Sequence, residues 1–473
     1  MTRAVVVGSG PNGLAAAIRL AQRGVTVRVL EARDTIGGGT RSGERTLPGL
    51  LHDDCSAIHP TGVASPFLRT LGLEAYGLRW RWPSAELAHP LDSGAAGVLW
   101  RDVDRTAASL PRADGRAWRR VFGPMSRRFD RLAEDLLGPP LHVPAAPLSF
   151  AGFGARAVLP ASWTARRWRG EQARALFGGV AAHAFSSLRT PFSSAVGLLL
   201  TAAGHAHGWP VAEGGSQAVT TAMARLLGRL GGTVETGVEV ADLGQLDRPD
   251  LVLLDVGPRA AAGILGDRLP RRTARAYRRY RYGPAAFKVD LAVEGGVPWT
   301  NEHCRSAGTV HLGGTFEEIA AAEEATVRGR MPGRPFVLVG QQYLADPSRS
   351  AGDLHPVYAY AHVPHGYRGD ATGAVLDQIE RFAPGFRARV RARSVRTVER
   401  LATDNANQVG GDIVGGANSV GQLLLRPRPA VDPYATGVPG VYLCSAATPP
   451  GAGVHGMAGF HAAESALRHL AAR

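Results

Sequence analysis

The sequence predicts an α/β protein in two parts. One is a Rossmann-like parallel domain assembled from three separated stretches, and the other is a domain of mixed sheet plus helices. Three observations carry that expectation. The apolar run Ala4-Val5-Val6-Val7 feeds straight into Gly8-Ser9-Gly10-Pro11-Asn12-Gly13 and a helix-forming run. The α/β rhythm fades from about Trp80 to His207 and returns at residue 208. Near the C-terminus a second glycine-rich loop, Pro450 to Gly459, enters a closing helix.

Taken in order, the first strand and its glycine turn make a dinucleotide site. Gly8 supplies a tight turn, Gly10 a close backbone approach and Gly13 a close helix–strand contact. Pro11 and Asn12 begin the helix whose free N–H groups and dipole face the phosphates. Gly24 ends that helix, and Val25-Thr26-Val27-Arg28-Val29-Leu30 reads as a second strand ending in Glu31. An acidic residue about 20 positions past the glycines is placed to accept from a ribose. Ala32 and Arg33 continue the site. Gly37-Gly38-Gly39 suits a loop lying against something flat or charged, and Thr40-Arg41 follows, with Arg41 able to meet a diphosphate.

Residues 1–79 form the first part of the nucleotide domain and 80–207 a helix-rich insertion. Helical stretches are expected at Arg116 to Leu137 and Gly170 to Ser186, with hairpin-like material near Leu99-Trp100-Arg101-Asp102. Residues 208–284 form the second nucleotide part, with an amphipathic helix from Ala218 to Leu230. Strands are expected at Thr233 to Val240 and Leu251 to Val256. Residues 285–425 read as a sheet. There Phe287, Val289, Leu291 and Val293 alternate with Lys288, Asp290, Ala292 and Glu294, the period of a half-buried strand. Phe336 to Gln342 and Val357 to Val363 read as an antiparallel pair, with Tyr358, Tyr360 and His362 on one face. Residues 426–473 complete the nucleotide domain through a short strand, Val441 to Ser445, and the closing helix.

Composition narrows the function. Hydrophobic residues make up 45% and charged residues 20% of 473, which fits a folded globular chain and excludes a disordered one. The net charge of +14 raises nucleic acid or an anionic membrane as partner. Of the 54 basic residues 53 are arginine, spread along the chain, and no zinc, helix-turn-helix or RNP signature accompanies them, so a nucleic-acid function is rejected. The cluster from Arg268 to Arg281 repeats at helical spacing and reads as a solvated helix face; a peripheral contact with anionic lipid is its second reading. Cys55, Cys304 and Cys444 make neither a disulfide framework nor a metal pattern. The chain opens on its first strand, and its longest apolar run, Ala195 to Ala203, is too short to span a bilayer. A cytoplasmic location is expected.

With these residues in place, the chain resembles the FAD-dependent amine oxidase and phytoene desaturase superfamily, and within it the phytoene-dehydrogenase-like bacterial oxidoreductases. The likeness rests on Gly8 to Gly13 with Glu31, on Gly37-Gly38, on Glu213-Gly214-Gly215 before a helix, on Gly237-Val238-Glu239-Val240, and on the ending Pro450 to Gly459. It implies FAD, with the ADP half at the N-terminal motif and Val238 or Val240 at the adenine through backbone groups. The flavin ring would lie near Gly453, Val454, His455, Gly456 and Met457. Cys444-Ser445 stands where many relatives carry a Gly-Asp or similar acidic pair, so backbone N–H groups near Ser445 would serve the ribityl chain. The amine oxidase branch carries a lysine bonded through water to flavin N5, and the likeness puts Lys288, the chain's one lysine, in that role. A lysine paired with Asp290 on a surface strand is the alternative.

His455 is a candidate for the flavin or substrate, with capping of the closing helix as its alternative. His311 and the Tyr358, Tyr360 and His362 face are candidates for the substrate cavity, with packed sheet residues as the alternative. The expected activity is FAD-dependent dehydrogenation of a largely apolar small molecule by hydride transfer to flavin N5, with oxygen, a quinone or NAD(P) as electron acceptor. The rivals are a flavin amine oxidase, which an aromatic cage would favour, and an isomerase or non-enzymatic binding protein on the same scaffold, as in the Rab GDP-dissociation inhibitors.

Overall fold

A computed structural model describes residues 2–471. Strand Arg3–Val7 sits at the centre of a five-stranded, wholly parallel sheet. Its neighbours are Thr26–Leu30 on one side and Leu251–Leu254 on the other, with Thr233–Glu235 and Val441–Leu443 at the edges. Strands from the start, middle and end of the chain thus share one sheet. Pro11, with its fixed φ, opens helix Pro11–Ala21. The closing helix Met457–Ala471 packs along it so tightly that a Cβ on Gly459 would lie 1.8 Å from the Asn12 carbonyl oxygen.

The second sheet has seven strands in the order Val390–Arg396, Ala285–Glu294, Leu354–Val363, Val337–Gly340, Ala307–Leu312, Ala85–Pro90, Ala96–Leu99. All its pairings are antiparallel except that between Ala307–Leu312 and Ala85–Pro90. One face, with Phe287, Val289, Leu291, Val357 and Ala359, packs on Val375, Ile379 and Phe382 of helix Thr372–Phe382. The other face, with Lys288, Tyr358, Tyr360 and His362, looks toward the helical segment and the nucleotide domain.

Several boundaries differ from the periodicity reading. Strand Ala285–Glu294 is buried on both faces through Val293, because strand Leu51–Asp53 and the loop after it cover its polar side too: His52 Nδ1 lies 3.4 Å from Asp290 Oδ1, and Asp54 and Cys55 lie beside Lys288. Strand Thr233–Glu235 stops five residues short of Val240: Gly237 at φ +72° turns the chain so that the Val238 N–H returns to the Glu31 carbonyl at 2.8 Å. The helical run of 116–137 is two helices, Arg112–Arg127 and Phe129–Leu136, broken at Arg128. Helix Glu171–Ala182 ends before Ser186, where Phe185 takes φ +47°. The hairpin lies earlier than Leu99, between Ala85–Pro90 and Ala96–Leu99, and Asp102 instead caps the next helix.

The arginine cluster forms helix Arg271–Arg278. Arg271, Arg272, Arg275 and Arg278 are exposed while Thr273, Ala274 and Tyr277 are buried, which is a solvated face. The apolar run at 195–203 lies within helix Ser194–His207. No described helix is long and apolar enough to cross a membrane. All three cysteines are free thiols.

Candidate functional site

The carboxyl ends of the parallel strands bring Gly8, Glu31, Asp255 and Cys444 to one edge, where such sheets bind ligands. The glycines there are sterically required. Gly8 holds φ +101°, and a Cβ on it would meet the Asp255 carbonyl oxygen at 3.0 Å. A Cβ on Gly10 would lie 2.7 Å from Asp255 Oδ2, and one on Gly13 would lie 2.1 Å from the Gly8 carbonyl oxygen. The turn therefore presses backbone against backbone and leaves the amides of the opening helix facing the edge. The Asn12 Oδ1 beside them is buried without a hydrogen-bond partner.

Glu31 sits at the end of the second strand with both oxygens engaged. Oε2 accepts from the Ser9 N–H at 3.0 Å and the Ser9 hydroxyl at 2.6 Å, and Oε1 accepts from the Arg33 N–H at 3.0 Å and Arg41 Nη2 at 3.1 Å. A ribose hydroxyl would replace the Ser9 hydroxyl or the Arg41 guanidinium, the two partners free to turn away. Arg41, expected at a diphosphate, is held over Glu31 and the Thr35 carbonyl instead. Gly37 (φ +114°) and Gly38 (φ +55°) lay their loop on the glycine turn, where a Cβ on Gly38 would be 3.3 Å from Gly10 Cα. Gly39 lies near Cys55, and the Thr40 hydroxyl donates to the Gly37 carbonyl at 2.8 Å. Val238 adjoins Glu31, but its N–H is already used there, which leaves its carbonyl for an adenine edge; Val240 is buried.

The C-terminal loop closes over the same edge. A Cβ on Gly456 would lie 2.9 Å from Ala15 Cβ, and the His455 carbonyl accepts from the Ser65 hydroxyl at 2.6 Å. His455 Nδ1 accepts from the Met457 N–H at 3.1 Å, so the histidine caps the closing helix. Burial pushes its pKa down to about 4, and its Nε2 is buried without a partner. Gly453 (φ +138°) packs against the His455 ring and Thr61, and Val454 is buried. Ser445 is buried just past the strand Val441–Leu443, its carbonyl accepting from the Thr448 hydroxyl.

Lys288 is not a surface lysine. It is 2% exposed, donates to Asp290 Oδ1, and lies 4.4 Å from the centre of the Tyr358 ring. Burial lowers its pKa, opposed by Asp290. Burial would raise Asp290, but Lys288 and His52 outweigh it and hold that carboxyl at about 2. Beside them Asp54, Cys55, Tyr360, Leu401 and Ile413 line a cavity of about 10 Å³, room for one water. A larger groove of about 310 Å³, among Ser42, Tyr76 and Arg225, carries none of this chemistry. His311 lies elsewhere, packed on His183 (Nε2 to Nε2 3.0 Å) and Phe336, while His362 Nδ1 pairs with Glu323 at 2.8 Å. Of the sheet-face candidates, Tyr358 and Tyr360 reach the cavity and the histidines are packed sheet residues.

Residue spacing gave no sign of the hub at Arg349. This 1% exposed arginine donates to Asp53 at 2.6 Å, Asp346 at 3.0 Å and the Ala212 carbonyl at 2.8 Å, fastening the two domains together behind the site. Asp53 also accepts from the Ser216 N–H and the Ser42 hydroxyl, each at 2.7 Å.

Comparison with known proteins agrees with this architecture. Residues 6–71 match the family described as NAD(P)-binding Rossmann-like domain. The chain is 26% identical to mouse pyridine nucleotide-disulfide oxidoreductase domain-containing protein 2, over 99% of this chain and 93% of that protein. It is 28% identical to hydroxyneurosporene desaturase of Cereibacter sphaeroides, over 100% and 98% respectively. Putrescine oxidase bound to putrescine shares the fold with a TM-score of 0.62 at 19% identity, over 100% of this chain and 99% of that one. Glycine turn, discontinuous parallel sheet and these likenesses together fit the chain to the flavin amine oxidase and phytoene desaturase superfamily, as a flavin-type oxidoreductase.

Proposed function

We infer that the protein binds FAD and dehydrogenates a neutral, largely apolar small molecule. The observation that carries this reading is the edge where the glycine turn, Glu31 and the C-terminal loop converge, with the Lys288 cavity reached from the second sheet. Bound FAD would supply the hydride acceptor at N5. The chain's own residues do the rest. The opening helix offers its amides to the diphosphate, Glu31 accepts from the ribose, and the loop from Gly453 to Met457 covers the ring. The sheet aligns a substrate C–H bond against it. Oxygen, a quinone or NAD(P) would then take the electrons.

A neutral substrate is favoured over an amine by the arrangement of the aromatic side chains at the cavity. Tyr358 and Tyr360 stand side by side on one strand, 5.8 Å apart at 88°, and so form one wall of the cavity and not a cage. The Cereibacter relative is also named as a desaturase and not as an amine oxidase. The test is anaerobic mixing of the flavin-loaded protein with neutral polyenes and alcohols beside a panel of amines. Bleaching by the neutral compounds alone is expected, and bleaching by amines alone would overturn the assignment. FAD retained with chemical change but no net bleaching would point to an isomerase.

Lys288→Arg separates a site lysine from a counter-charge. Arginine keeps the charge for Asp290 but cannot give up a proton. Flavin reduction by substrate is expected to slow about 10²-fold or more, with FAD content unchanged. A rate near that of the parent protein would reduce Lys288 to a partner of Asp290.

A further inference from the structure

Asp255 is a buried carboxyl that the reading above does not use. It follows strand Leu251–Leu254 directly, and its backbone is fixed on both sides. Its N–H donates to the Val7 carbonyl at 2.8 Å, and its carbonyl accepts from Asn407 Nδ2 at 3.0 Å. The side chain drops onto the glycine turn, where Oδ2 accepts from the Gly13 N–H at 3.0 Å and lies 2.7 Å from the position of a Cβ on Gly10. The carboxyl therefore fills the hollow beneath the amides that would face a phosphate. An ionised carboxylate there would repel an anion and compete for those amides; a carboxylic acid would offer the anion a further donor.

The surroundings decide between the two forms. The titratable groups facing Asp255 are Glu31, at the end of the strand beyond Arg3–Val7, and Cys444, at the end of the adjoining strand, whose thiol is itself pushed up by burial and by Asp255. Neither supplies a positive charge. Burial, with Glu31 adding to it and against the Gly13 and Gly10 amides, pushes the Asp255 carboxyl up to about 8.

We propose that Asp255 is a direct ligand of the cofactor diphosphate, accepting the Gly13 N–H with one carboxyl oxygen and donating its own O–H to a phosphate oxygen. This rests on the reading that a dinucleotide fills the edge. The linkage has a definite sign. Diphosphate binds the acid form, so affinity is full at neutral pH. It falls as pH rises through the carboxyl's pKa, by up to about tenfold per pH unit.

The test is FAD binding to stripped protein, followed by quenching of flavin fluorescence from about pH 6.5 to about 9.5, for the parent protein, Asp255→Asn and Asp255→Ala. Asparagine keeps an acceptor and a donor in the same place but does not titrate. The parent protein is expected to lose affinity above about pH 8, whereas Asp255→Asn stays level and close to the parent at neutral pH. Asp255→Ala, which keeps the turn but loses the donor, is expected to bind about tenfold more weakly than Asp255→Asn throughout. An infrared carbonyl band of a protonated carboxyl, present in the parent protein at neutral pH and missing from Asp255→Asn, is the second readout. Tight FAD binding with the same pH profile in the parent protein and Asp255→Asn would overturn the proposal and leave the cofactor reading intact. A parent protein that binds no FAD at any pH would fail that reading and this proposal with it.

Discussion

Arg349→Ala is expected to destabilise the protein by about 3–5 kcal/mol, because it strands two carboxylates in the interior. Burial alone would raise the Asp53 pKa; the Arg349 guanidinium outweighs that and holds the carboxyl below its ordinary value. With arginine gone, Asp53 keeps the Ser216 and Ser42 donors and Asp346 keeps the Gly214 N–H at 2.9 Å, but neither has a cation. Arg349→Lys should recover little, since a single ammonium cannot reproduce the planar fork that serves Asp53, Asp346 and the Ala212 carbonyl together. Denaturant unfolding measures the effect, and a loss below about 1 kcal/mol would place the hub among interactions of no consequence.

The second large effect is acid unfolding driven by buried neutral histidines. His59, His89, His205 and His455 are each pushed down to about 4 by burial. In the unfolded chain a histidine takes its proton near pH 6.5, whereas these four refuse it until near 4. The unfolded state therefore binds more protons in that window. Stability is full above about pH 6.5 and falls as pH drops toward 4, by up to about 3 kcal/mol for each histidine. Four such groups together rival the whole stability of an ordinary domain, so unfolding should begin near pH 5, with uptake of several protons. A pH titration followed by circular dichroism and proton uptake checks it; a native spectrum retained at pH 4 would contradict it. His89 shows how each is held neutral: its Nε2 donates to the Gly314 carbonyl at 2.8 Å, and no carboxylate touches it.

The legible parts of the site were those whose chemistry is local. Gly8, Gly10 and Gly13 announce a tight turn because strand, glycines and helix follow one another within twenty residues, and Glu31 closes the same unit. The period-two run around Lys288 announced a strand but not its burial, which depends on His52, Asp54 and Cys55, from the first part of the chain, covering the polar face. Arg349 was invisible for a different reason. It meets Asp53 across 296 positions, and in a chain of 53 arginines one more carries no signal. Asp255 could be read as the residue after a buried strand. That this strand lies beside Arg3–Val7, and so drops the carboxyl onto the glycine turn, is a fact of parallel pairing and not of spacing. His455 is the intermediate case: its place before the closing helix allowed both a cap and a flavin contact, and the structure supplies the cap.

The most direct measurement is the absorbance spectrum of the purified protein, followed by heat release and identification of any chromophore. The account predicts flavin bands, with FAD as the released species. A colourless protein that cannot be reconstituted with FAD would contradict the oxidoreductase assignment and leave a non-enzymatic binding protein on this scaffold.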